Sequence, residues 1–410
     1  MLLTVGIKSQ ESLLSPKDEA RELRELALST NTQVEDEIIC FRESPTPNLY
    51  LGKGKIDEIK TLVQEKSINV VIFNNDLSGI QQRNIEEILG IKTIDRTQLI
   101  LDIFARHAKS PEGRMQVELA QLEYFLPRLT GKGIFLSRLG GGIGTRGPGE
   151  QKLEIDRRRI KDKIIKLKGE LQHTIERRKT VRKKRRESSI PTIALVGYTS
   201  AGKSTLMNAL TESSQHVSQH LFTTLDPLSR SFSLSNNQKV VLSDTVGFIN
   251  NLPPHLIEAF KATLEEVVES DLLLHVLDVS DLTVQEHSKA VGEILEMLGA
   301  GEKPTIIVLN KIDKLQDARW AEKYKVDFNT DIAISALHRQ NLADLVRLIE
   351  KKFENMFTEV SLLLPLNRMD LVDIIYREGS VKSIEYTPSN IVISATLPSV
   401  TASKLSNYRN

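Results

Sequence analysis

Residues 191–210 read PTIALVGYTSAGKSTLMNAL, and this stretch decides the fold. A short apolar run, TIALV, is followed by G-x-x-x-x-G-K-S from Gly197 to Ser204 and then by a helical pattern. A strand, a glycine-rich turn and a helix in that order predict a phosphate-binding loop. The glycines let backbone N–H groups wrap phosphate oxygens, and the helix dipole adds positive potential at the same point. Gly197 and Gly202 frame the loop. Lys203 is expected to reach the terminal phosphates, Ser204 to bind Mg²⁺, and Thr205 to stand beside them at the phosphates. Such a loop is carried by an α/β unit with a mostly parallel sheet and flanking helices.

The chain beyond this loop supplies the rest of a nucleotide site. VVLSDTVGF (240–248) ends a strand in D-x-x-G: Asp244 is placed to hold Mg²⁺ through water, and the Gly247 N–H to meet a γ-phosphate. Between the two lies LFTTLDP (221–227), where Thr224 can close the Mg²⁺ shell, although a loop threonine is ordinarily a cap or turn residue. VLNKID (308–313) ends the next apolar strand with N-K-x-D. Asp313 is expected to accept from the guanine N1 and N2 groups, which adenine lacks. Asn310 ties this loop to the phosphate loop, and Lys311 flanks the base. Ser335 and Ala336, in AISAL, offer a backbone N–H to guanine O6. The order of the motifs and their strand-end placement make the set specific for GTP, although each tetrapeptide alone is weak. Phe248 occupies the place where many GTPases carry a glutamine that orients water, so slow intrinsic hydrolysis is expected.

Outward from this unit, residues 189–357 read as one nucleotide-binding domain with strands TIALVG, KVVLSD, LLLHVLD, PTIIVLN and DIAIS. Residues 358–410 form a small α+β appendage. Residues 1–110 alternate LLTVGI, EIICF, VVIF and IKTI with helical patterns, predicting an N-terminal α/β domain with a largely parallel sheet. LLTVGI reads as an alternating strand, Cys40 as a small buried hydrophobe, and LGKGKIDEI (51–59) as a helix N-terminus.

Residues 111–188 differ. Met115, Leu119, Leu122, Leu126 and Leu129 form one helical seam, and Leu153, Ile160, Ile164, Leu167 and Leu171 form another. Between them lies GKGIFLSRLGGGIGTRGPGE, with eight glycines and one proline. Two seams around a loop over 131–149 predict an antiparallel helical hairpin. From Arg157 to Arg186 there are 15 lysines and arginines against three acidic residues, while the whole chain carries only +1. A one-signed excess points to an anionic partner, with nucleic acid favoured over an acidic membrane surface. The bland reading is a solvated helix face.

The composition, 40% apolar and 27% charged, is that of a globular protein of several domains. A lone cysteine excludes a disulfide framework and fits a reducing compartment. No apolar run approaches the roughly 20 residues of a membrane helix. A cytoplasmic monomer is expected, with peripheral membrane contact left open.

With these motifs in hand, the chain resembles the HflX family of ribosome-associated GTPases, in the Obg-HflX group. ARHAKSPEGRMQVELAQLEYFLPRL, GGGIGTRGPGE, GYTSAGKST, LDP and DTVGF carry the resemblance, which covers essentially the whole chain. It implies binding to the large (50S) ribosomal subunit, and splitting or rescue of stalled 70S ribosomes under stress. It also implies that the glycine-rich loop probes ribosomal RNA, with Gly140, Gly141, Gly142, Arg138 and Arg146 in that loop and Arg157, Arg158 and Arg159 beyond it. The family usually has asparagine at Ser200, where related GTPases coordinate potassium, so a K⁺ requirement stays open. QKLEIDRR replaces the family's usual TQLETDRR. The family's N-terminal region has been linked to a second nucleotide activity, but the spacing at Gly52 is too short for a phosphate loop. A second reading is an RNA-binding anti-association factor whose nucleotide site only sets conformation. A tRNA-modifying or membrane-transport GTPase is disfavoured, since no C-terminal cysteine and no apolar span are seen.

Overall fold

A computed structural model describes the chain except residues 10–11, 130–147, 188–189, 212–221, 223–227, 235–237, 254–255, 258–259, 318, 331, 355–356 and 410. Internal packing divides it into two units. The first comprises Met1–Thr174, Ser218–Asp226 and Ile249–Thr263. The second comprises Ile175–Val217, Pro227–Phe248 and Leu264–Asn410.

The first unit is built on β1 (Leu2–Ile7), β2 (Glu37–Arg42), β3 (Val70–Phe73) and β4 (Lys92–Asp95), all parallel in the order β2-β1-β3-β4. Helices α1 (Pro16–Ser29), α2 (Lys53–Glu65), α3 (Gly79–Leu89) and α4 (Arg96–His107) alternate with these strands. The expected alternation in β1 is absent. All its residues but Gly6 are buried, because an interior parallel strand is covered on both faces. Cys40 lies on edge strand β2 and is half-buried rather than buried, its Sγ 3.8 Å from the Thr4 carbonyl. Caps fix the helix starts: the Ser15 and Ser78 hydroxyls and the Asp95 carboxylate each accept from a first-turn N–H. Helix α2 begins after Gly52, as the glycine–lysine run predicted.

Helices α5 (Pro111–Phe125) and α6 (Pro148–Glu187) follow. The predicted seams meet: Leu119, Ile164, Leu167 and Leu171 form one apolar cluster, with Met115, Leu122, Leu126 and Ile160 against it. Lys168 pairs with Glu123 at 2.8 Å, and Lys163 pairs with Glu118. The chain tightens into a 3₁₀ turn at Leu126–Leu129, where Pro127 has no N–H to extend the α-helix.

In the second unit, β5 (Thr192–Val196), β6 (Leu228–Ser233), β7 (Lys239–Asp244), β8 (Leu272–Asp278) and β9 (Thr305–Asn310) form a sheet in the order β6-β7-β5-β8-β9. Only β6 is antiparallel. Its polar sequence, LSRSFS, hid it from the hydrophobic pattern, as suits an edge strand. DIAIS is not a strand: among its described residues, Ala333 and Ser335 make isolated bridges to Leu309 and Gln340. Helices α7 (Lys203–Thr211), α8 (Lys261–Glu269), α9 (Val284–Met297), α10 (Arg319–Asp327) and α11 (Leu342–Phe353) accompany these strands. Leu206, Met207, Leu345, Ile349 and Phe353 bury one face of the sheet with Leu195, Leu274 and Val276.

A separate antiparallel sheet, β10 (Phe357–Pro365), β11 (Ser380–Tyr386) and β12 (Asn390–Pro398), runs in the order β10-β12-β11. Helix α12 (Met369–Glu378) and a helix the pattern did not reveal, α13 (Ser399–Lys404), share its core through Ile375 and Ala402. No helix among the described residues is long and apolar enough to cross a membrane.

Candidate functional site

Strand β5 delivers the loop Gly197–Gly202 to the N-terminus of α7. The backbone turns back on itself there, with φ of 61° at Ser200 and 95° at Gly202. A side chain at Gly202 would place its Cβ 2.4 Å from Asn310 Nδ2, so glycine is required by both conformation and space. Lys203 is buried, and its ammonium donates to the carbonyls of Gly197 (2.9 Å) and Tyr198 (2.7 Å). Burial pushes its pKa down to about 8; the Asp244 carboxylate opposes this and the Lys311 charge reinforces it. A cation so placed gains when a phosphate arrives.

Asp244 ends β7 and is fully buried, and its Oδ2 accepts from the Ser204 hydroxyl at 2.6 Å. Hydroxyl and carboxylate oxygens side by side suit Mg²⁺, which keeps waters and substrate phosphates in its shell. Among the described residues no three His, Cys, Asp or Glu gather for an all-protein cage. Gly247 comes close to the loop: an ideal Cβ on it would lie 2.9 Å from Thr199 Cα and 3.1 Å from Lys203 Nζ. Phe248 is buried, and its backbone is laced to the loop. Its N–H donates to Gly197 O (3.1 Å) and its carbonyl accepts from Thr199 N (2.7 Å).

The base-reading candidates converge from the end of β9 and from the turn at 335–336. Asn310 closes β9: its Nδ2 donates to Ala201 O (2.8 Å), and its Oδ1 accepts from Ala336 N (3.0 Å). One amide therefore joins the phosphate loop to the 335–336 turn. Lys311 takes a left-handed φ of 68° and pairs with Asp278 at 2.6 Å, holding its stem in place. Asp313 accepts from the Ser335 hydroxyl, and His338 Nε2 lies 3.9 Å from its other oxygen. Thr205 follows Ser204 in the first turn of α7. Thr224, Arg138, Gly140, Gly141, Gly142 and Arg146 lie outside the described residues. Arg157, Arg158 and Arg159 lie on α6, with Arg158 and Arg159 exposed.

Two features had no sequence signal. Tyr198, inside the phosphate loop, stacks on His287 with centroids 3.7 Å apart, and Thr283 Oγ1 is 3.2 Å from His287 Nε2. His275 interrupts the apolar run of β8; it is buried, and its Nε2 has no hydrogen-bond partner among the described residues. Burial, reinforced by the Lys203 charge, pushes its imidazole down to about 4. The unfolded chain therefore takes up this proton first as pH falls. Stability is expected to be intact above pH 6.5 and to drop by about 3 kcal/mol as pH falls from about 6.5 to 4. Urea titrations across that window should lose this component in His275→Leu; an unchanged pH profile in the variant would reject the assignment.

Three family models match in series: "GTP-binding GTPase N-terminal" over residues 17–105, "GTP-binding GTPase Middle Region" over 107–185, and "50S ribosome-binding GTPase" over 192–311. The chain is 44% identical to "GTPase HflX" of Caldanaerobacter subterraneus subsp. tengcongensis over 396 residues, 96% of this chain and 91% of that protein. It is 43% identical to the protein of the same name from Lacrimispora saccharolytica, over 97% of this chain and 93% of that one. With the one from Escherichia coli (strain K12) the identity is 44% over 73% of this chain and 70% of that one.

Proposed function

The chain belongs to the HflX family of GTPases, and from that premise we propose that its nucleotide site is a timer set off by the ribosome. On this reading it binds the large ribosomal subunit or the 70S particle, promotes ribosome splitting or rescue under stress, and is released when GTP is hydrolysed. The observation that carries the reading is the pair of hydrogen bonds by which Asn310 donates to the Ala201 carbonyl and accepts from the Ala336 N–H, which ties the candidate base-reading turn to the phosphate loop.

Lys203 and the loop amides from Gly197 to Thr205 hold the phosphates, with Gly247 meeting the γ-phosphate. Asp313, Ser335 and Ala336 read guanine, flanked by Lys311. Ser204, Asp244 and Thr224 would hold Mg²⁺, which when bound neutralises charge on the phosphates. Phe248 is buried and cannot orient water, so the resting rate is slow and the ribosome supplies the missing activation. Its burial also gives the conformational-switch reading its weight.

The glycine-rich loop and the basic helix, through Arg138, Gly140, Gly141, Gly142, Arg146, Arg157, Arg158 and Arg159, meet ribosomal RNA. Lysine and arginine displace counterions from RNA phosphates, so binding is expected to weaken steeply with salt. GTP turnover measured with and without 50S subunits tests the function: strong acceleration is expected, and none would leave only the anti-association reading. Sucrose gradients of 70S ribosomes with GTP, a non-hydrolysable analogue or GDP then separate splitting from mere binding. Subunit attachment that does not change from low to moderate salt would count against the basic-helix contact.

A further inference from the structure

Two consecutive residues at the start of α4 face two different parts of the first unit. Asp95 is fully buried. Its Oδ1 accepts from Tyr124 Oη (2.8 Å), and its Oδ2 accepts from Arg128 Nη2 (3.0 Å) and Leu77 N (3.2 Å). Arg128 also donates to the carbonyls of Tyr124 (3.0 Å) and Leu77 (2.7 Å), and its guanidinium lies 3.5 Å over the Tyr124 ring. Tyr124 and Arg128 are the end of α5 and the 3₁₀ turn that lead directly into the glycine-rich segment.

Arg96, the next residue, is also buried. It donates to Glu22 Oε2 (2.9 Å), Asn74 Oδ1 (3.1 Å) and the backbone carbonyl of Asn250 (2.7 Å). Asn250 is buried and stands three residues after Gly247 in the chain. Farther along α4, Phe104 packs edge-on against Phe222 (4.7 Å) and Phe260 (4.6 Å). Phe222 stands two residues before Thr224, and Phe260 immediately precedes α8. Helix α4 thus touches Phe222, close in sequence to the candidate Mg²⁺ ligand Thr224, and Asn250 and Phe260, which follow the candidate γ-phosphate contact Gly247.

We propose that Asp95 and Arg96 form a rigid joint that couples the base of the glycine-rich loop to the segment after Gly247, with Arg96 as its positioning residue. The inference rests on the ribosome-activated reading above, and it says how the activating signal reaches the nucleotide site. The physical ground is that neither side can shift alone. A buried guanidinium with three acceptors, and a buried carboxylate with donors on both oxygens, lose fully formed charge-assisted bonds if either end moves. Adjacent Cα atoms on one helix turn transmit a displacement of one as a displacement of the other. Binding at the loop and binding at the nucleotide site then bias one element, and linkage makes the effect reciprocal.

Reciprocity permits a test that needs no ribosome. Amide hydrogen exchange of the full chain, read over residues 122–129, is compared with GDP and with a non-hydrolysable GTP analogue. Protection there is expected to differ between the two nucleotides in the wild type. The difference is expected to vanish in Arg96→Lys, which keeps the charge opposite Glu22 but loses the three-way fork, and in Tyr124→Phe, which removes only the hydroxyl on Asp95. Nucleotide affinity should stay near wild type in both variants. No nucleotide-dependent difference in the wild type, or a difference that persists in both variants, overturns the joint.

A second arm measures GTP turnover with and without 50S subunits. The variants are expected to keep basal turnover and 50S binding while losing about fivefold or more of the stimulation, the scale of a typical coupling. Full stimulation in both variants overturns the joint, and so does loss that tracks loss of 50S binding. A wild type that 50S subunits do not stimulate defeats the activation reading itself, and the exchange experiment still decides whether the joint exists.

Discussion

Replacing Asp313 with asparagine is expected to weaken GTP binding by about 10²- to 10⁴-fold and to move preference toward xanthosine triphosphate. A carboxylate offers only acceptors, and guanine presents two adjacent donors at N1 and N2. An amide turns one acceptor into a donor, which faces a donor on guanine but meets the O2 acceptor of xanthine. The surroundings should survive the change. Asp313 accepts from the Ser335 hydroxyl, and an asparagine oxygen can take the same bond. Asn310, which joins the loops, is untouched. The loss should therefore appear in nucleotide choice and not in thermal stability. Competition of fluorescent GDP by GTP and by XTP measures it directly. Retained preference for GTP would remove Asp313 from the base-reading role, whatever the family.

Much of this was legible in the sequence, for a physical reason. A phosphate loop must follow a buried strand and open a helix, and an N-K-x-D element must end a strand near it. The apolar runs TIALV and TIIVLN fixed those positions, and β5 and β9 lie there. The helical seams were legible because leucine and isoleucine at regular spacing have one way to bury, and Leu119 does meet Ile164 and Leu167. What escaped was set by tertiary context. Strand β6 is polar because its edge faces solvent, so no pattern marked it. DIAIS is apolar enough for a strand but makes only isolated bridges. The pairing of Asp95 with Arg128, and of Arg96 with the Asn250 carbonyl, joins residues far apart in the chain, and a single sequence carries no record of such distances.

Replacing Gly202 with alanine should damage binding on the scale of the smaller loss expected at Asp313, although it removes no functional group. At φ 95° an L side chain is strained, and its Cβ would meet Asn310 Nδ2 at 2.4 Å. The backbone on one side is fixed by α7, so the Asn310 amide must leave. Its departure releases the Ala201 carbonyl and the Ala336 N–H together. Two buried hydrogen bonds broken where nucleotide binding needs them amount to about 100-fold in guanine-nucleotide affinity. Strain and lost bonds predict a fall in stability of about 2–4 kcal/mol as well, so a stability effect alone proves little. Gly299 separates the two. It is also left-handed, at φ 71°, but nothing lies within 4 Å of its ideal Cβ. Gly299→Ala is expected to lower stability by about 1 kcal/mol and leave affinity intact. Urea denaturation and fluorescent GDP binding on both variants make the comparison. If Gly202→Ala binds GDP as the wild type does, the Asn310 bridge does not hold the site together. If Gly299→Ala loses affinity as well, the effect reports general destabilisation and not the contact between Gly202 and Asn310.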